Sequence, residues 1–144
     1  MADLVSIVDL DSGDAPERLD EACRTVGFVS VVGHGVGWPI VEEMLAATDE
    51  FFALPPDVKR HYLSPSPDIN RGYAAKGAEG LSYSLGVDGR PPDLFEAFNM
   101  GPDAPPPALE SRAEFAANIW PEEIASLRPA LVAYFSEMAH LSRR

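Results

Sequence analysis

Fourteen prolines and eleven glycines in 144 residues set the first limit on this chain. Proline removes a backbone donor and breaks helix interiors, and glycine weakens both helices and strands. A long helical bundle is therefore excluded, and short elements separated by turns are expected. The remaining composition, 46% hydrophobic and 24% charged, is that of a globular domain with a real core.

The pattern along the chain reads β-α-β-α, then short strands, then a last helix. Ser6 to Leu10 reads as a first strand. Asp14, with Pro16 and Glu17 behind it, reads as a capped helix start. Leu19, Ala22, Cys23 and Val26 share one face of that helix, which Gly27 ends, so Cys23 is expected to be a buried, inert thiol. Phe28 to Val32 is the strongest strand signal, β-branched and bounded by glycines. Pro39 opens a second helix with an apolar stripe of Ile40, Met44, Leu45, Phe51 and Phe52. Asp57 to Tyr62 supplies one or two further turns. Strand-like pieces follow around Tyr73, at Leu81–Leu85 and at Leu94–Phe98, before a proline-rich connector at Gly101–Pro107. A final helix starts after Ser126, since Pro129 is tolerable only in a first turn. Leu127, Leu131, Phe135, Met138 and Leu141 line one of its faces. The fold class expected is α+β.

Charge and chemistry exclude more than they assign. With 23 acidic and 11 basic residues, the net charge of −12 repels nucleic-acid phosphates and anionic membranes, so neither is expected as a partner. An acidic decoy of nucleic acid is disfavoured as well, because the charge is scattered. Met1-Ala2-Asp3 lacks a basic, then apolar, leader, and no stretch is apolar enough for a bilayer. With the lone Cys23, a cytoplasmic location is expected. None of His34, His61 and His140 is followed by a carboxylate two residues on, so no metal ligand is assigned. Gly33, Gly35 and Gly37 lack the G-x-G-x-x-G spacing and the lysine of a phosphate loop. His34 and Gly35 are read instead as a structural turn, with the imidazole bonded to backbone. No serine lies in a G-x-S-x-G elbow. Arg71 and Tyr73 either meet an anionic or planar ligand or form a solvated loop edge. No catalytic residue is assigned.

Several segments in order carry a resemblance. They are Ile7-Val8-Asp9-Leu10, Ala22 through Val36 with its Gly-Phe-Val and His34-Gly35, and Phe51-Phe52-Ala53-Leu54-Pro55 with Lys59. Arg71-Gly72-Tyr73, Asp93 to Phe98, Trp120-Pro121 and the final helix with Tyr134 follow. Together they resemble the N-terminal region of the isopenicillin N synthase-like, Fe(II)- and 2-oxoglutarate-dependent dioxygenases, from about Val5 to Leu141. Gly33 departs from the asparagine common before His-Gly, and Phe95 from the tryptophan or lysine usual before the glutamate.

The resemblance implies helices and strands flanking a jelly-roll (double-stranded β-helix) core that is largely missing from this chain. It implies that residues 1–144 are a non-haem dioxygenase N-terminal domain, a fragment of an oxidoreductase. The family holds iron through His-x-Asp and a distant histidine, and 2-oxoglutarate through Arg-x-Ser. This sequence contains neither pair, so no cofactor is expected on the chain alone. By the same likeness, Tyr73, Tyr83 and Phe98 are the residues expected to line a small-molecule substrate in an intact enzyme. The alternative is a stand-alone interaction module that self-associates through Leu131, Phe135, Met138 and Leu141, a stripe expected to lie uncovered.

Overall fold

The computed structural model describes residues 5–66, 68–78, 91, 93–104, 107–109 and 112–144. The sequence expectation at Leu81–Leu85 lies outside the described residues. The chain divides into two compact units, one of residues 1–37 with 137–144, the other Trp38–Ser136. Both mix helix and strand.

In the first unit, β1 (Ser6–Asp9) and β2 (Val29–Val32) pair in parallel, Ser6 opposite Val29 and Asp9 opposite Val32. A parallel pair needs a crossover, and α1 (Ala15–Thr25) supplies it. Val8 is fully buried, and Ala15 and Ala22 are buried with it. Alternation along β1 leaves Ile7 on the other face, 54% exposed. Cys23, expected inside, is exposed. It sits about 100° round the helix from Ala22, and the buried stripe is only as wide as the small residues Ala15 and Ala22 make it. The Asp14 cap is also corrected: its side chain makes no capping bond, because Ser12 donates its hydroxyl to that carboxylate. Gly27 does end α1, its N–H returning to the Ala22 carbonyl at 3.0 Å. In this same unit the Arg144 guanidinium donates to the Asp11 carboxylate at 2.8 Å and to the Gly33 carbonyl at 3.0 Å.

In the second unit, α2 (Trp38–Ala53) is followed by a short α3 (Pro56–Lys59) and a 3-10 turn at Arg60–Tyr62. Pro39 occupies the second helical position, where its missing N–H costs nothing. β3 (Gly72–Ala74) and β4 (Ala97–Asn99) pair antiparallel, with Tyr73 opposite Phe98. The expected strand at Leu94–Phe98 is thus shifted. β3 offers three residues, so the ladder begins only at Ala97, and Leu94 is left 86% exposed. Two 3-10 turns, Pro107–Leu109 and Ala113–Phe115, precede α4 (Leu127–Leu141).

Phe51, fully buried, is the centre of this unit's core, with Ala47, Tyr73, Ile124, Leu127 and Ala130 around it. Its ring meets those of Phe52, Tyr73 and Phe98 edge-on at centroid distances of 5.2, 5.9 and 4.9 Å, the arrangement favoured by ring quadrupoles. The start of α4 is consumed here: Leu127 and Ala130 are buried and Leu131 packs against the cluster. Of the stripe expected to be uncovered, Leu131 is therefore covered by the chain itself, while Phe135 is 37% exposed.

Candidate functional site

The Arg71-Gly72-Tyr73 segment organises the second unit. Gly72 has φ +80°, and a Cβ there would stand 2.2 Å from the Tyr62 carbonyl oxygen. Only glycine allows both the left-handed turn and that approach. The turn sends the two flanking side chains different ways.

Arg71 is 6% exposed. Its guanidinium donates to three carbonyl oxygens, those of Asn70 (2.6 Å), Glu114 (2.5 Å) and Ala116 (3.1 Å). Gly101 leaves room for it, since a Cβ there would overlap Nη2. Among the described residues no carboxylate forms an ion pair with Arg71. A permanently charged fork satisfied by backbone alone clamps the 114–116 segment onto β3. Asp103 makes a second clamp, accepting from Asn118, from Trp120 Nε1 at 3.2 Å and from Arg128 at 2.8 Å. The Arg128 hydrogen bond chiefly holds its carboxyl below the usual range.

Tyr73 points the other way, into the core, and its phenol donates to Glu96 Oε2 at 2.5 Å. The same oxygen accepts from Lys59 Nζ at 2.8 Å, and Lys59 also donates to the Phe52 carbonyl at 3.0 Å. Burial first, and then the Glu96 hydrogen bond, push the Tyr73 phenol up to about 12. The Lys59 hydrogen bond, followed by that from Tyr73, holds the Glu96 carboxyl below its ordinary value.

Beside this segment lies an open cleft of about 610 Å³ bordered by Leu63, Ser64, Ile69, Tyr73, Ala74 and Asn99, among others. Tyr73, expected to line substrate, borders this cleft. Phe98, expected with it, sits opposite Tyr73 on β4, half-buried against Phe51 and 6.1 Å from the Trp120 ring. Tyr83 lies outside the described residues.

In the first unit, His34 Nδ1 accepts the Val36 N–H at 3.1 Å, and Gly35 takes φ +76°. A phosphate is disfavoured at these glycines, because the Asp9 and Asp11 carboxylates lie against Gly33. Among the described residues no three His, Cys, Asp or Glu side chains converge to hold a metal ion. The described donor set therefore does not fit Fe(II). Nor is any helix among them long and apolar enough to cross a membrane.

A mixed helix-and-strand region of this kind is shared with known oxygenase structures. The family model for "non-haem dioxygenase in morphine synthesis N-terminal" matches residues 2–123, and the chain belongs to that family. Among curated proteins it is 34% identical over 144 aligned positions to the 2-oxoglutarate-dependent dioxygenase citB of Monascus ruber, covering 92% of this chain and 41% of that protein. It is 31% identical to the validamycin A dioxygenase of Streptomyces hygroscopicus subsp. limoneus, over 99% of this chain and 41% of that one. Among solved structures, JOX2 in complex with 2OG, Fe and JA is 29% identical with a TM-score of 0.66, over 96% of this chain and 37% of that chain. A full-length Neurospora crassa protein in complex with alpha-KG and thymine shares the fold at 21% identity and a TM-score of 0.67, over 96% and 45%. The chain thus spans about two-fifths of the length of the curated relatives it matches.

Proposed function

We propose that this chain is the N-terminal supporting and substrate-pocket-shaping region of a non-haem Fe(II)/2-oxoglutarate-dependent dioxygenase, and is inactive alone. The family match carries the reading. Two further facts support it: the relatives are more than twice the matched length, and the sequence holds no His-x-Asp and no Arg-x-Ser. Iron and 2-oxoglutarate, which would supply the oxidising chemistry, belong in this reading to a jelly-roll core outside these residues. What these residues contribute is shape. The Arg71 clamp holds the 114–116 segment against a short sheet that borders a cleft, and Tyr73, Tyr83 and Phe98 are the residues proposed to face a small organic substrate.

The test is the reading frame beyond Arg144. Codons for His-x-Asp, a distant histidine and Arg-x-Ser there, together with succinate production by the joined protein, are the expected outcome. An authentic stop without such a continuation would end the enzymatic reading. The module alternative draws on one observation, the exposed Phe135 on α4. A discrete dimer in sedimentation, abolished by Phe135→Ser, would favour it.

A further inference from the structure

The β3–β4 ladder has two faces, because directly opposite residues share one and neighbours along a strand alternate. Tyr73 and Phe98 stand opposite each other, and both rings pack on Phe51. Gly72 with Asn99, and Ala74 with Ala97, hold the other face. Ala74 and Asn99 border the cleft, whose volume of about 610 Å³ falls within the roughly 300–1,000 Å³ of small-molecule sites. Such sites are apolar with a few placed polar groups. Leu63, Ile69 and Ala74 supply the apolar border. Of the polar groups, the Ser64 hydroxyl is taken by the Ser66 and Ile69 carbonyls. Arg71 is buried and turned to the Glu114 and Ala116 carbonyls, so it offers no exposed cation, and the net charge of −12 opposes an anion. Asn99 differs from both. It is half-buried, and its amide has no partner among the described residues, where no side-chain nitrogen or oxygen shut off from solvent is left unpaired. That amide is therefore open, and it offers a donor and an acceptor side by side. The Asn70 amide is also unpaired among the described residues, but Asn70 is exposed.

We infer that Asn99 is a specificity-determining residue of this cleft: its amide selects a neutral organic molecule carrying a carboxamide or lactam group. Such a group returns an acceptor and a donor to the two that Asn99 presents. The role of that selection in an enzyme rests on the pocket-shaping reading above, whose three aromatic residues leave the polar contact unassigned.

The experiment titrates the full chain with benzamide, methyl benzoate and benzoate, which share a ring and differ in the polar group. Side-chain amide signals of ¹⁵N-labelled protein report the binding. Benzamide is expected to saturate, to move the Asn99 signals, and to bind roughly two- to tenfold tighter than methyl benzoate, the range one net hydrogen bond gives. Benzoate should bind weakest. Asn99→Leu, close in size, should cancel the preference for benzamide over methyl benzoate, and Asn70→Leu should keep it. No saturation by benzamide, a preference that survives Asn99→Leu, its loss in Asn70→Leu alone, or tightest binding of benzoate would each overturn the assignment. If Asn99→Leu does not fold, the unmodified chain decides: Asn99 signals that move no further with benzamide than with methyl benzoate sink the proposal. These titrations need no iron. A reading frame without the iron ligands would therefore end the enzymatic reading and leave the assignment standing, whereas a failed titration would leave the family reading untouched.

Discussion

Replacing Gly72 with alanine tests how the Arg-Gly-Tyr segment is built. Two costs arise and can be separated. The first is handedness: an L-residue at φ +80° costs about 1–2 kcal/mol. The second is overlap, since the new Cβ would lie 2.2 Å from the Tyr62 carbonyl oxygen and 3.1 Å from Ile119 Cδ1. The oxygen is backbone, and the neighbouring Leu63 is bridged to Tyr73, so relief means moving the 3-10 turn and β3 apart. Overpacking of that kind costs a further ~1–3 kcal/mol. The sum, about 2–5 kcal/mol, is a large share of the ~5–15 kcal/mol that holds a domain folded. Urea unfolding followed by tryptophan emission suits the measurement, because both tryptophans, Trp38 and Trp120, lie in the unit that contains Gly72. Gly72→Asn is the control, since asparagine tolerates the left-handed region yet carries the same Cβ. It should still lose roughly 1–3 kcal/mol, the overlap alone. A loss for Gly72→Ala below about 2 kcal/mol, or near-native stability for Gly72→Asn, would refute the close approach.

Phe51→Ala empties the centre of the second core and should lower stability by about 3–5 kcal/mol in the same assay, while Phe52→Ala, at its half-buried edge, should cost less. Stability should fall at both ends of the pH range. Tyr73, raised in the fold, contributes fully below pH 10 and loses its contribution as pH rises toward 12, so Tyr73→Phe should flatten the alkaline limb of a thermal-melt series. Glu96, lowered in the fold, contributes above about pH 4.5 and loses its contribution as pH falls through its folded value, so Glu96→Gln should flatten the acid limb. Mixed anaerobically with Fe(II) and 2-oxoglutarate, the chain should show no charge-transfer absorption. One tightly bound iron per chain, lost on His34→Ala or His140→Ala, would contradict the misfit of the described donor set to Fe(II).

The sequence signals that worked were local. Gly27 and Pro129 mark helix ends through backbone chemistry within a turn or two, and the β1-α1-β2 order follows from hydrophobic period and glycine punctuation alone. What failed was decided at a distance. Cys23 shares a helix face with Ala22 by spacing, but how wide a face is buried depends on what packs against it. β4 could not be placed because its length is set by the three residues β3 offers, 23 or more positions earlier in the chain. The Lys59–Glu96 pair spans 37 positions and leaves no periodic trace. Arg71 was legible as a residue of interest but not as a clamp, because its partners are carbonyl oxygens, which every residue has. The family resemblance named Tyr73, Tyr83 and Phe98 without placing Tyr73 opposite Phe98. Their facing positions in the ladder depend on a register that no local pattern reveals.

The tie from Arg144 to Asp11 and Gly33 has a consequence for the order of assembly. The groups it joins are 133 and 111 positions apart, and residues 137–144 group with the opening 37. On a ribosome, β1, α1 and β2 emerge first and can pair locally. Their unit nevertheless remains incomplete while the whole of Trp38–Ser136 is synthesised. That intervening segment needs nothing made after Ser136 for its own internal contacts, so it can finish earlier. Closing so long a loop adds only slowly to the entropic cost but delays the contacts that reward it. Of the two units, the one that begins earlier in the chain is accordingly the one completed later, and a nascent chain stalled short of Glu137 should protect Phe51 from proteolysis before it protects Val8.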